Sequence, residues 1–322
     1  MKPRISLVIR CYNEERHIGR LLAGVMAQTL ADRTEIIVVD SGSTDATLSI
    51  ARRFPVQVVH ISKEEFSFGR SLNQGCAQAQ GDFIVIASAH VYPVYRDWLA
   101  QLITPFEHDH TGRLALVYGK QRGTITTQYS EHQVFARWFP EESNWQQRHP
   151  FCNNANATIR RELWQQFPYD ETLTGLEDLD WATRVMAKGY GIAYNAAAEI
   201  IHVHNETPHQ TFNRYMREGM AYKRIFPHET FRLRDFARLW TGATLSDYRH
   251  ALLDGALWRS LLSIPRFRFA QYWGTYRGYQ RSSERNDDLR RAFYYPNSTR
   301  PQSPLPEREA LRIDYHNMEE QN

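Results

Sequence analysis

The sequence predicts an α/β protein with a mostly parallel sheet flanked by helices, and three observations carry that expectation. Short apolar, β-branched runs, Ile5 to Ile9, Ile36 to Val39, Val56 to His60 and Phe83 to Ala87, alternate with helical apolar spacing. That alternation marks strand-helix-strand units. The runs are near-continuously apolar, as strands covered on both faces have to be. They also end in polar turns that open helices, most plainly at Ile36-Ile37-Val38-Val39-Asp40-Ser41-Gly42-Ser43-Thr44-Asp45. Polar groups therefore collect along one rim, where open α/β sheets bind ligands. Asp40 can accept hydrogen bonds from a base or ribose and Gly42 lets backbone approach, which suggests a nucleotide; Asp45 is the better helix cap.

Taken in order, the first strand ends at Arg10-Cys11-Tyr12-Asn13-Glu14-Glu15, and Ile18, Leu21, Leu22 and Val25 then mark an amphipathic helix. The second strand is followed by a helix from about Ala46 to Phe54 and the third strand by Phe68-Gly69-Arg70, which opens a small-residue helix ending at Gly81. The strand Phe83 to Ala87 runs into Ser88-Ala89-His90, placing His90 on the same rim as Asp40. A helix over Asp97 to Phe106 precedes a short strand, Ala115 to Gly119, that leads to Lys120, Gln121 and Arg122. Residues 124–149 have little periodicity and read as a variable insert over an acceptor site. A strand is expected over Phe151 to Ile159, a short helix over Arg160 to Phe167, and a helix from the acids Glu177, Asp178 and Asp180 to Gly189; acids suit a helix's first turn. Two short strands close the series, Ile192 to Tyr194 and Glu199 to Val203. Alternation sends His202 and His204 to opposite faces, so one of them, His202 by preference, is expected at the rim.

Beyond about residue 208 the chain turns to helices rich in arginine and aromatic residues. The expected organisation is a domain over 1–207, a helical annex over 208–281, and an extended or loosely ordered tail over 282–322 with four prolines between Pro296 and Pro306. The annex is a candidate membrane-surface contact or homo-oligomer face. With 322 residues, 42% apolar and 23% charged, the chain can bury a large core. A net charge of +3 gives no reason to expect nucleic acid. Three scattered cysteines, Cys11, Cys76 and Cys152, indicate neither a zinc ribbon nor a disulfide framework. No signal run and no stretch of about 18 apolar residues occurs, so the expected location is cytoplasmic, with a peripheral seat at the inner face of the membrane left open.

Four blocks in sequence, SLVIRCYNEERHI, VVDSGSTDAT, NQGCAQAQGDFIVIASAH and YDETLTGLEDLDWATRVMAKGY, resemble the family 2 glycosyltransferases, inverting enzymes with a GT-A fold; the resemblance covers residues 4 to 205. It implies a transferase that moves a sugar from a nucleotide-diphosphate donor, UDP- or dTDP-sugar favoured, to a hydroxyl of a glycan or lipid-linked acceptor. It further implies bacterial surface polysaccharide synthesis, such as capsule or lipopolysaccharide, as the setting. Asp40 would then recognise the base, and Asp178 would be the general base, its proton affinity raised by desolvation and by Glu177. Nucleotide-binding candidates on the same rim are Arg10, Tyr12, Asn13, Glu14, Ser41 and Arg70. Asn154, Asn156 and Trp181 are candidates for contact with the acceptor or donor sugar, although buried packing is the ordinary role of a residue like Trp181. Lys120 and Arg122 are further diphosphate candidates, and Trp138 and Trp145 offer stacking faces.

One departure stands out. The family places Asp-x-Asp, which holds a divalent cation, Mn²⁺ or Mg²⁺, where this chain has Ser88-Ala89-His90. Ser88 cannot replace a carboxylate's charge, and imidazole suits Mn²⁺-like ions better than Mg²⁺. His90 with His202 is therefore expected to bind a transition ion or to hydrogen-bond the diphosphate directly. The Ser88 substitution also motivates an alternative, a non-catalytic nucleotide-sugar or glycan-binding protein of the same fold. The Glu177-Asp178 pair argues against it, since a binder needs no base. A nucleotidyltransferase ranks last, because no Gly-rich basic loop follows the first strand.

Overall fold

The computed structural model describes residues 3–281 together with Ile313 and Tyr315. Its elements in chain order are β1 (Ile5–Cys11), α1 (Ile18–Met26), β2 (Thr34–Asp40), α2 (Thr47–Ala51), β3 (Val56–His60), α3 (Phe68–Gln78), β4 (Phe83–Ser88), β5 (Val91–Pro93) and α4 (Trp98–Glu107). There follow β6 (Leu114–Arg122), α5 (Tyr129–Trp138), β7 (Asn156–Arg160), α6 (Arg161–Gln166), α7 (Glu177–Met186), β8 (Gly191–His202), α8 (Pro208–Ile225), α9 (Leu233–Leu253), α10 (Leu257–Ser260) and α11 (Ser263–Arg281).

The strands form one sheet in the order β3-β2-β1-β4-β7-β6-β8-β5. β1 to β4 are mutually parallel and β6 pairs parallel with β8, while β7 and β5 run antiparallel to their neighbours. Successive strand residues point to opposite faces, so Val8, Ile37 and Ile86 pack with Leu72 and Trp181 on one side. Leu7, Ile9 and Val38 pack with Leu21 and Trp98 on the other. Both faces are covered, which is why these runs lack polar alternation.

The annex packs by close approach of backbones. A Cβ on Gly278 of α11 would lie 2.2 Å from the Met216 carbonyl oxygen of α8, and one on Gly274 2.5 Å from that of Phe212. Only glycine permits this crossing. α8 begins at a capping box, Thr207 with Gln210, with Pro208 in its first turn. α9 is tied to α11 by the buried pair Asp247 and Arg268 at 2.7 Å, and to α5 by the Ser130 hydroxyl, which donates to Asp247 at 2.6 Å.

The structure differs from the sequence expectation at several elements, beginning with the edge strand β5, where no strand was expected. The region read as an unpatterned insert contains α5, whose buried positions include Ser130 and Glu131 and so carry no apolar period. The strand expected from Phe151 begins only at Asn156. The two short strands expected near 192–203 are one strand, β8, whose small residues Ala196, Ala197 and Ala198 hid its continuity. The strand expected over 115–119 extends to Arg122. The tail expectation lies outside the described residues except at Ile313, whose N–H donates to the Val94 carbonyl, and Tyr315, whose hydroxyl donates to that of Pro93.

Candidate active site

β1 lies between β2 and β4, so the chain winds away from it in both directions, and at such a switch point the strand ends leave a crevice. The ends of β1, β4 and β8 meet the first turn of α7 and one face of α8 around a cleft of about 520 Å³.

The acids enter from α7. Leu176, at its N-cap, has φ 54°, a left-handed conformation that a residue with a Cβ adopts at a cost of about 1–3 kcal/mol. The turn it makes carries Glu177 and Asp178 into the cleft wall. Arg10 donates to Glu177 Oε1 at 3.0 Å. Asp178 accepts the N–H of Asn154 at 3.0 Å and that of Leu179 at 2.8 Å. Burial and the neighbouring charge of Glu177 push the Asp178 carboxyl up to about 7, against the favourable pull of those amides and Arg10. A carboxylate so placed can take a proton near neutral pH.

Three histidines line the same cleft. His90, His202 and His204 bring ligand nitrogens to within 4.8 Å of one another. The expectation that His202 and His204 diverge fails because β8 ends at His202, and the alternation of a strand no longer governs His204. Each ring is held from behind through Nδ1: His90 by Glu14 at 2.8 Å, His202 by Gln121 Oε1 at 2.7 Å, and His204 by Glu131 at 3.0 Å. An acceptor on Nδ1 makes that nitrogen the N–H donor and leaves Nε2 with its lone pair. The Nε2 atoms of His202 and His204 lie 2.9 Å apart. A proton or a metal ion between them relieves the repulsion of two lone pairs at that distance, and two nitrogens each about 2.0–2.1 Å from one ion lie about this far apart where they subtend roughly 90° at it. Burial and the nearby His204, His90 and Arg214 hold His202 well below the usual histidine range, so its imidazole is neutral, as a metal ligand has to be. These residues fit a divalent transition ion.

The other expected residues divide. Arg10, Tyr12, Glu14, Ser41 and Asn154 line the cleft with Ser88. Asp40 is at the end of β2, but its carboxylate accepts the Gly42 and Ser43 amides and its side chain is 2% exposed, so it shapes the turn directly. Asn13, with φ 54°, braces the same turn by accepting the Thr44 N–H at 2.8 Å. Arg70 is not in the cleft wall; it pairs with Glu171 at 2.7 Å and donates to the Glu65 carbonyl. Asn156 is wholly buried, accepts from the Trp98 indole and donates to the Ala198 carbonyl, so it knits strands together and meets no sugar. Trp181 is a core residue that donates to the Phe167 carbonyl. Lys120 and Arg122 pair with Glu199. Trp138 stacks on Phe151 at 4.2 Å and Trp145 is 55% exposed, and neither lines the cleft.

Sequence reasoning missed the contribution of α8. Gln210, Arg214 and Arg217 recur at intervals of four and three, one helical face, and all three line the cleft. Arg214 bridges Glu131 and Glu206. Arg217 lies over the Phe68 ring at 4.6 Å, and Arg10 over the same ring at 4.7 Å. Among the described residues Arg217 Nε has no hydrogen-bond partner. Two guanidinium groups on one aromatic ring beside the cleft form a cationic wall suited to an anion.

Residues 6–167 match the model of the family described as glycosyl transferase family 2. The O-antigen chain rhamnosyltransferase WbaN of Salmonella anatum is 27% identical over 241 residues, 68% of this chain and 72% of that protein. The mannosyltransferase PcManGT from Pyrobaculum calidifontis, solved in complex with GDP-Man and Mn²⁺, has a TM-score of 0.58 at 18% identity, covering 92% of this chain and 88% of that one. S. aureus TarS 1-349, solved with UDP-GlcNAc, has a TM-score of 0.51 at 16% identity, covering 92% and 93%.

Proposed function

The chain belongs to glycosyl transferase family 2, and we propose that it moves a sugar from a nucleotide-diphosphate donor to a hydroxyl of a glycan or lipid-linked acceptor with inversion at the anomeric carbon. It is a glycosyltransferase with a GT-A fold. The observation that carries the mechanism is Asp178, a carboxyl in the cleft wall that is held by the Asn154 amide beside an ion-paired Glu177. An acceptor hydroxyl hydrogen-bonded to Asp178 gives up its proton to that carboxylate as its oxygen attacks the anomeric carbon. The bond from that carbon to the diphosphate oxygen breaks on the opposite face, and the electron pair leaves with the nucleoside diphosphate. Arg10 and Arg217 are placed to take up the charge of that leaving group. Arg10 has a second part, since its pairing with Glu177 limits the repulsion beside the base.

His90, His202 and His204 would hold the divalent ion that the family implies, which when bound supplies positive charge to the donor diphosphate. Three imidazoles without a carboxylate favour a transition ion over Mg²⁺, and Mn²⁺ is the ion with which the Pyrobaculum neighbour was solved. We assign the nucleoside to the ends of β1 and β2, against Tyr12, Ser41 and the turn that Asp40 shapes. Neighbours of the same fold were solved with GDP-Man and with UDP-GlcNAc, so fold alone does not choose the base. The name of the Salmonella relative supports rhamnose as the donor sugar and an O-antigen type acceptor. Calorimetric titration with UDP, dTDP and GDP, each with Mn²⁺, Mg²⁺ or EDTA, tests the reading on the wild type and on His202→Ala. One nucleotide is expected to bind with Mn²⁺ and not with Mg²⁺, and that Mn²⁺-dependent binding is expected to be lost in the variant. Binding of none would contradict the donor assignment.

A further inference from the structure

We propose that the turn joining α9, α10 and α11 is a docking tip that seats the protein on an anionic lipid surface. Within residues 252–262, Leu252 is 65% exposed, Leu253 75%, Trp258 85%, Leu261 38% and Leu262 64%. Single exposed apolar side chains are ordinary, but five in eleven residues are not. The turn is braced from behind, so these side chains point outward from a fixed backbone. Ala251, Ala256 and Ile264 form a small core with Tyr129 and Leu257. The Tyr248 hydroxyl donates to the Leu261 carbonyl at 2.7 Å, and Tyr129 donates to Asp254.

Charge selects the occupant. Exposed Arg249, Arg259 and Arg266 surround the tip. Residues 233–281 carry eight arginines and three aspartates, a net +5, whereas the whole chain carries +3. At the turn itself, residues 249–266 set three exposed arginines, Arg249, Arg259 and Arg266, against one exposed acid, Asp254, a net +2 beside the apolar side chains. Two copies meeting symmetrically through this tip would bring arginine against arginine. An anionic bilayer surface answers both features, with leucine and tryptophan entering the interface and arginine meeting the headgroups. No helix among the described residues is long and apolar enough to cross a membrane, so the contact is with the surface.

Docking would also orient the cleft. Trp258, Arg259 and Leu262 share a groove with Pro208, the first residue of α8, and Gln210, two residues on, lines the catalytic cleft. An acceptor carried on a lipid would thus be presented at the cleft's α8 end. That consequence rests on the lipid-linked form of the proposed acceptor; the docking itself does not.

Flotation of the full chain with vesicles of phosphatidylcholine alone, or mixed with phosphatidylglycerol, tests the proposal. The wild type is expected to float with the mixed vesicles at low salt and to be released as salt rises. Leu253→Ser/Trp258→Ser and, independently, Arg249→Gln/Arg259→Gln are each expected to weaken association by roughly tenfold or more. All these side chains are exposed, so melting temperatures should match the wild type, and the donor titration should be unaltered. Absence of flotation at low salt, or flotation unaffected by both variants, would overturn the proposal. So would sedimentation showing a dimer that the Leu253→Ser/Trp258→Ser variant dissolves, without vesicle binding. Flotation in a protein that binds no nucleotide would leave docking intact and remove the donor assignment instead.

Discussion

Asp178 shows how one residue's surroundings set its chemistry. Its carboxyl is raised above the ordinary carboxylate range, so it is protonated below about 7 and becomes a base as pH rises through that value. kcat/KM is therefore expected to climb with pH and level off above an inflection near 7; a flat profile from pH 5 upward would remove this role. Arg217 makes a second case. Replacing it by alanine should lower kcat/KM by a factor of about 10 to 100, and lysine should rescue poorly, because only a planar guanidinium both stacks on Phe68 and offers a fork of donors. Behind the histidines, Gln121→Ala removes the acceptor that fixes His202 and should weaken Mn²⁺ affinity about 10- to 100-fold by calorimetry. The seat of Asp178 in a helix's first turn was legible from the run of acids that opens α7, whereas its part as the base came only from the family resemblance. His204 was not legible, since its direction depends on where β8 stops, and neither was Gln121, whose partner lies 81 positions away.

The elements divide in the same way. The parallel strands were legible because burial on both faces leaves a continuous apolar run. α5 was not, because its inner face holds Ser130 and Glu131, satisfied by Asp247, His204 and Arg214 instead of by apolar contact. The annex read as helices rich in arginine and aromatic residues, but its packing depends on glycines whose meaning appears only when α8 and α11 are side by side. Gly278→Ala is expected to destabilise the protein by about 1–3 kcal/mol in denaturant titration. Arg268→Ala, which leaves Asp247 buried without its cation, is expected to cost about 3–5 kcal/mol. If Gly278→Ala unfolded at the wild-type midpoint, the close crossing of the two helices would be wrong.

At the scale of the whole molecule, the sheet brings together residues that the sequence keeps far apart. β1 supplies Arg10, the loop after β4 His90, α7 the acids, the end of β8 two histidines and α8 two arginines. Sequence alone placed Arg10, His90 and His202 on one rim, because strand ends in a parallel sheet face the same way; the acids of α7 joined them only through the family resemblance, and His204 was sent to the other face. Sequence could not place α8, since a helix following the last strand has no fixed position until it packs. The arrangement gathers a carboxylate base, arginines and cation-binding imidazoles around one cleft, the groups that a displacement between an acceptor hydroxyl and a diphosphate leaving group requires. The measurement that tests this most directly is single-turnover sugar transfer by wild type and Asp178→Asn, with donor binding followed in parallel. The account predicts a rate lower by about 10² to 10⁴ in the variant with donor affinity retained. Transfer at the wild-type rate by Asp178→Asn would contradict it.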